Sequence, residues 1–487
     1  MRTALRAALL AVATLELLPG IGQQQEQDCD LEVLRTPGSR GEMVTLPDGE
    51  VRIDQWGGVE AVCGDRRLRA DSASYYQNRG VLFLVGDMRY ADDERELVAD
   101  RGTYYEREAR MRAEGNVRLT DADGRSTLTT QLLDYFPANE NRPRERMFAP
   151  RRPHLTYYPE TTTEPDALPF EVDADRLHIY GDSAVAGAGR VVAIRGDLVA
   201  HADSMDLDLA GDRLWLLGGP QVTSDSMVLS GDTILVLMQE QQIREIEAWP
   251  AGSATSREMS LEAPLLRMFV EDDEVNRLVA APGDPARTGA EESPERDPWA
   301  VSVSTDYRLE ADSIDIQRPG GVLDRVFALR RARAESTEEV IPGGGFLARD
   351  WLEGDTITGF FTVRDSGSAS GDAELTRLRA SGNARALHYV RQEDAGDGQL
   401  PAPNYVKGRE IILELEDGEV RQVRVIGPAR GVYLEPIPPS PDDTTGRDTS
   451  GLSLPDSIRE ATEDTTPPVP PDTVPRDTVP SAGPGGR

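Results

Sequence analysis

Five aspartates stand where short apolar runs begin: Asp71, Asp100, Asp203, Asp232 and Asp312. Carboxylates paired across a cleft are the groups with which a glycosidase does acid–base work. The spacing argues for another role. Asp71 and Asp100 are 29 residues apart, and Asp203 and Asp232 repeat that interval. A catalytic group breaks the symmetry of a repeat, whereas a side chain present in every repeat serves the repeat itself. These aspartates read as strand-start residues whose carboxylates bond local backbone amides. Asp92-Asp93-Glu94 and Glu271-Asp272-Asp273-Glu274 have the density of a metal cluster, but both fall where the chain turns between strands and read as solvated turns. Asp121, Asp123 and Gly124 begin like a calcium loop. Arg125-Ser126-Thr127 then supplies no third carboxylate, and no glutamate occupies the twelfth position. His154, His178, His201 and His388 are scattered, and no G-x-S-x-G, phosphate loop or C-x-x-C is present. The reading is a protein that is not an enzyme and carries neither metal nor cofactor.

One basic segment stands out. Arg142, Arg144, Arg146, Arg151 and Arg152 cluster in NRPRERMFAPRR. Guanidinium forks pair well with phosphate or with an acidic partner surface; the plainer alternative is a solvated loop that balances neighbouring acid. Cys29 and Cys63 are the only cysteines. In an oxidising compartment they would close one loop, worth roughly 3–4 kcal/mol in the chain-entropy account. Two ligands are too few for a structural zinc site.

The elements that would position these groups are short, alternating and repetitive. LRADSASYYQNRGVLFLVGDMRY, from Leu68, returns as LVADRGTYYEREARMRAEGNVRLT, from Leu97. No stretch carries a 3.6-residue apolar stripe, and period-2 runs dominate. Leu68, Ala70, Ser72, Ser74 and Tyr76 would share one side of a strand, with a turn at Gln77-Asn78-Arg79-Gly80. Val81 to Val85 is apolar without a break and reads as a strand covered on both faces. Ile411 to Leu415, a turn at Asp417-Gly418 and a return from Val420 to Ile426 form the clearest hairpin. Gly86, Gly115, Gly218 and Gly382 sit beside strand ends, where a sheet that bends at fixed intervals needs them. The inward face would be lined by Leu82, Leu84, Val117, Leu119, Leu214, Leu216, Ile234, Val236, Ile411, Leu413, Val423 and Val425. Stacked repeats of this kind present an extended surface more often than an enzyme pocket.

Residues 1–22 read as an export signal: Arg2 and Arg6, an apolar run to Leu18, then Pro19-Gly20. Residues 23–50 lead into a first β region over 51–281. A Pro-, Gly- and Glu-rich linker over 282–298 would divide it from a second β region over 299–436. Pro150, Pro153, Pro159, Pro165 and Pro169 mark an interruption, and Arg391 to Pro403 an insertion. Residues 437–487, rich in Pro, Thr and Asp, cannot bury enough apolar area to offset ordering and read as a disordered tail. The net charge of −33 repels nucleic acid and anionic membrane surfaces at long range.

ADSASYYQNRGVLFLVGDMRY, ADRGTYYEREARMRAEGNVRLT and SGNARALHYV followed by KGREIILELEDGEVRQVRVIG carry a family pattern. Their repeated A-D-x-x-x-Y and G-x-V phrases resemble the OstA/LptA-like lipopolysaccharide transport proteins, a family that includes the N-terminal domain of the LptD translocon protein. The resemblance implies an all-β fold, an elongated half-open twisted β-jellyroll of stacked antiparallel strands. It implies a periplasmic, outer-membrane-associated carrier or bridge whose groove, lined by the twelve inward residues above, shelters the acyl chains of lipopolysaccharide or a similar amphiphile. It also implies edge-strand pairing with other β-jellyroll components or with further copies of the chain. The competing reading is a structural or adhesive β-repeat protein of the cell envelope. Hairpin turns favour antiparallel stacking over the parallel coils of a β-helix.

Overall fold

Along the strand Arg66–Tyr76 the buried positions are Leu68 and Ala70, then Ala73, so the inward parity changes at Asp71. Pairing to Val81–Ala91 slips between Arg69 and Ser72 at the same place. An extra residue bends the strand and carries everything beyond it to the other face. Ser72, Ser74 and Tyr76 therefore do not share the side of Leu68, contrary to the unbroken alternation read from the sequence. The same slip recurs in Val51–Cys63, Arg95–Tyr105, Arg110–Asp121, Ala184–Arg195, Arg325–Ser336 and Ala373–Val390. Elsewhere the bend splits a strand into halves. Arg146–Ala149 and His154–Tyr157 both pair with Thr127–Phe136, so Pro150 and Pro153 stand at such a bend and do not interrupt the sheet.

The bends line up. They fold one antiparallel sheet along a row of corners into two facing layers with a shared core, and among the described residues 32 strands join it. This computed structural model describes residues 32–158, 168–224, 227–239, 242–257, 259–271, 274–283, 300–340, 349–363, 373–390, 401–416 and 418–434. The export signal, Cys29, most of the linker, most of the 391–403 insertion and the tail lie outside them. The described residues belong to one compact unit; a second, Glu393–Leu400 with Glu435–Arg487, lies outside. Helical structure among the described residues is two 3-10 turns, Glu106–Glu108 and Pro319–Gly321.

At the corners Asp71, Asp100 and Asp203 each meet a glycine in or just after the next strand, Gly86, Gly115 and Gly218, whereas among the described residues no glycine contacts Asp232 or Asp312 in this way. A Cβ on Gly86 or on Gly115 would lie 2.3 Å from Oδ2 of Asp71 or of Asp100, and both glycines have positive φ. Only glycine meets both demands. The 29-residue interval from Asp71 to Asp100 is this Asp–Gly contact, repeated two strands on. The equal interval from Asp203 to Asp232 is not, since among the described residues Asp232 has no such glycine. Asp71, Asp100 and Asp203 stand in mid-strand and not at strand starts, whereas Asp232 and Asp312 immediately precede strands. The side-chain partners of Asp100 and Asp312 are also not local backbone amides: Asn116 Nδ2 donates to Asp100 at 3.0 Å, and Arg331 Nε to Asp312 at 2.8 Å. Gly86, Gly115 and Gly382 likewise lie within bent strands.

Inside, the row beside the corners alternates large and small from strand to strand: Ile234, Ala248, Leu266, Ala280, Ile314, Ala328, Ile357, Ala380, Ile411. A large side chain then fills the space left by the small one on each neighbour, which keeps the thin core at interior density. Val81–Ala91 is covered on one face only. Leu82 and Leu84 are buried, while Phe83 and Val85 are 42% and 49% exposed. The unbroken apolar run therefore does not signal two-sided burial. On the outer face of one layer Leu235, Trp249 and Leu265 form a second, small apolar cluster with Trp215 and Leu237.

The late hairpin forms as read, with Ala402–Glu416 pairing Glu419–Ile426 through Glu416 and Glu419. Met259–Ala263 pairs Ala300–Ser304, and Glu274–Ala281 pairs Ser313–Gln317. The ladder thus runs across the linker that was expected to separate a first β region from a second.

Candidate functional site

Corners join the two layers along one side. On the other side hairpin tips of one layer face those of the opposite layer across a seam. In the first third the seam is latched. Arg95, on a tip of one layer, donates through Nε to Glu145 Oε2 on the other at 2.9 Å, and a second bond joins Nη2 to Oε1. Their side chains are only 15% and 7% exposed. Tyr135 donates to Glu145 at 3.0 Å, Tyr90 to Asp92 at 2.9 Å, and the two rings meet edge-on at 5.6 Å. Burial, with the neighbouring carboxylates, pushes both phenols far above the ordinary tyrosine range. Arg95 is held above its ordinary value by Glu145, against the cost of burial. Arg66 Nη2, reaching the Ala138 carbonyl at 2.9 Å, adds another crossing.

Further along, the seam opens into a cavity of about 300 Å³ between the layers. Val222, Met227 and Leu229 form one wall; Ile246, Met268, Val270 and Val275 form the other. Asp197, Ser224, Glu274, Arg318 and Gly321, all at or beside hairpin tips, make the rim. Arg318 is half-buried, and its Nη2 donates to the Gly321 carbonyl at 2.8 Å. Met227 and Arg318 also border a second void of about 20 Å³ lined by Ala254, Met259, Leu261 and Ile316. Methionine side chains adapt to irregular apolar shapes, so two of them in these walls make the space deformable. The arrangement offers shelter for an apolar chain with polar groups at its mouth, and among the described residues its lining holds no nucleophile–base pair. Among the described residues no group of three or more His, Cys, Asp or Glu is placed to hold a metal ion.

The inward residues named from the sequence fall on the inner faces. Leu82, Leu84, Val117, Leu119, Leu214, Leu216, Ile234, Val236, Ile411 and Leu413 are buried, and Val423 and Val425 pack half-buried against the same core. None of the twelve lines the cavity. The cavity residues escaped because alternation marks inward positions without saying where the layers separate. Met227 and Met268, within MVLS and RMFVE, were the signal that could have found them.

The arginine cluster is dispersed in role. Arg142 donates to the Pro137 and Ala109 carbonyls and lies over Phe136. Arg152 lies 3.8 Å from Asp175. Arg144, Arg146 and Arg151 are exposed. Cys63 is buried beside the Tyr104 hydroxyl at 3.5 Å and is not a free thiol, while Cys29 lies outside the described residues. Asp92 caps its own turn by accepting from the amides of Glu94 and Arg95, and Asp121 and Asp123 do the same for Ser126 and Arg125. His154 and His388 contact Asp173 and Asp350, and His178 stacks on Phe148 at 4.3 Å.

Both ends of the ladder are open among the described residues. Glu32–Arg35 and Arg40–Thr45 pair only with Val51–Cys63; Glu419–Ile426 and Arg430–Tyr433 pair only with Ala402–Glu416. Leu34 and Met43 on the first edge are 41% and 69% exposed, and Tyr433 on the last is 49% exposed.

No family model matches the chain, and no curated protein matches it. Among solved structures it is similar to LptH, the LptA-homologous periplasmic component of the conserved lipopolysaccharide transport device from Pseudomonas aeruginosa. The identity is 14%, the match covers 38% of this chain and 81% of that one, and the TM-score is 0.11. A likeness this slight carries no functional assignment.

Proposed function

We propose that the protein is a non-enzymatic carrier or bridge of the periplasm that shelters acyl chains of lipopolysaccharide or a related amphiphile between its two layers. The observation that carries this reading is the mid-stack cavity: apolar walls from both layers, polar groups confined to the rim, and an opening on the side away from the corners. Each methylene withdrawn from water contributes about 0.8 kcal/mol, so such a space holds a lipid without any catalytic group. The repeated A-D-x-x-x-Y and G-x-V phrases support it from the sequence side. The open edge strands would pair with neighbouring β components, satisfying their unpaired N–H and C=O rows.

A structural β-repeat role is favoured by the closely packed core and the latch of the first third. Photocrosslinking in cells separates these roles. A crosslinker at Leu229 or Met268 is expected to label lipopolysaccharide or its lipid anchor, while one at the outward Phe83 stays unlabelled. A folded, exported protein with no lipid adduct at either inner position would favour the structural role.

A further inference from the structure

We propose that the mid-stack cavity takes one linear acyl chain at a time, that of a carboxylate-headed single-chain amphiphile whose head meets Arg318. This rests on the reading above that the cavity holds acyl chains, and adds which chains, how many, and by which residue. Capacity is the first argument. An apolar cavity of about 150 Å³ accepts one benzene. The space here, about 300 Å³, is twice that and holds about a dozen chain carbons. It is at the lower limit of ligand pockets, too small for several chains at once. The latch closes the seam in the first third, so the space does not continue as a groove there.

The rim supplies the second argument. Among the described residues Arg318 is the one cation lining the cavity, and it also borders the adjoining small void behind Met227. Among the described residues its side chain makes one hydrogen bond, to the Gly321 carbonyl, which leaves further guanidinium donors for a carboxylate fork. The rim acids Asp197 and Glu274 are exposed, whereas Arg318 is partly withdrawn from water. Solvent and salt screen the two acids more than the arginine, so Arg318 is the rim charge that keeps most of its pull on a head group entering the cavity.

The test is binding of dodecanoate, dodecanol and dodecylamine to the purified chain, with stoichiometry from native mass spectrometry and affinity from equilibrium dialysis. Expected are one dodecanoate per chain, weaker binding of dodecanol, and a loss of about tenfold in dodecanoate affinity in Arg318→Gln, with dodecanol unchanged. Leu229→Trp or Met268→Trp, by filling the space, should remove binding of both. Two or more chains per molecule, an Arg318→Gln variant that binds dodecanoate as well as before, tighter binding of dodecylamine, or no binding at all would each overturn the proposal. Lipid adducts in cells without dodecanoate binding would sink this inference and leave the carrier reading standing. Dodecanoate binding without lipid adducts would do the reverse.

Discussion

Replacing Arg95 with methionine should unlatch the first third of the seam. The guanidinium makes two bonds to Glu145 and a 3.3 Å contact to Asp182. The methionine stem keeps much of the packing, so the change removes mainly charge. Glu145, 7% exposed, is left with the Tyr135 hydroxyl as its remaining close partner. Breaking one side of a buried pair costs about 3–5 kcal/mol, mostly because the surviving charge stays buried and uncompensated. Stacked repeats open locally, so the cost should appear as faster native-state amide exchange in Val81–Ala91, Arg95–Tyr105 and Thr127–Phe136, by roughly a hundred- to several-thousand-fold, with Ala402–Glu416 unaffected. The pair Arg95→Met with Glu145→Leu should recover most of the protection, since an apolar replacement of both partners is often neutral. Unchanged exchange in Arg95→Met, or a double variant worse than the single, would refute the argument that the bridge closes the seam.

Partial burial, then the charges of Asp350 and Asp306, raise the Tyr307 phenol from 10.0 to about 12. The folded state keeps this proton after the unfolded state has lost it, so the stabilisation is complete below pH 10 and disappears between pH 10 and 12; ultraviolet titration of the phenols alongside denaturant midpoints checks this. Gly115→Val forces a β-branched residue to φ +77 and against Asp100, costing about 1–3 kcal/mol, and Asp100→Gly should relieve only the collision; thermal melts of the single and double variants decide. Met43→Lys, on the exposed first edge, should reduce end-to-end association without lowering the melting temperature, as read by light scattering. Cys29 and Cys63 should form an intrachain disulfide after export, so thiol trapping of the oxidised protein should label neither.

Much of the fold was legible because it is local. Alternation in Val117–Leu119, turn residues at Asp123-Gly124 and at Gly418, and the recurring aspartates and glycines each speak within a few residues, and they specify antiparallel hairpins that bend at intervals. The failures come where sheet geometry, not the local pattern, decides which way a side chain faces. Alternation was carried through Asp71 as if the strand were straight, and the bulge there moved Ser72, Ser74 and Tyr76 off the side of Leu68. Val81 to Val85 looked two-faced because Phe83 and Val85 are apolar, yet sheet position leaves both exposed.

From the sequence alone come strand content, hairpin pairing, the bend period and the inward set from Leu82 to Val425, because period-2 burial and turn chemistry are short-range properties. Only the tertiary structure decided where the seam is shut and where it gapes. Arg95 and Glu145 are 50 residues apart. The cavity rim draws Asp197, Ser224, Glu274 and Arg318 from four separate hairpin ends. Which tips face one another depends on register summed over many strands and on how two twisted layers meet, and no local window of residues carries either quantity.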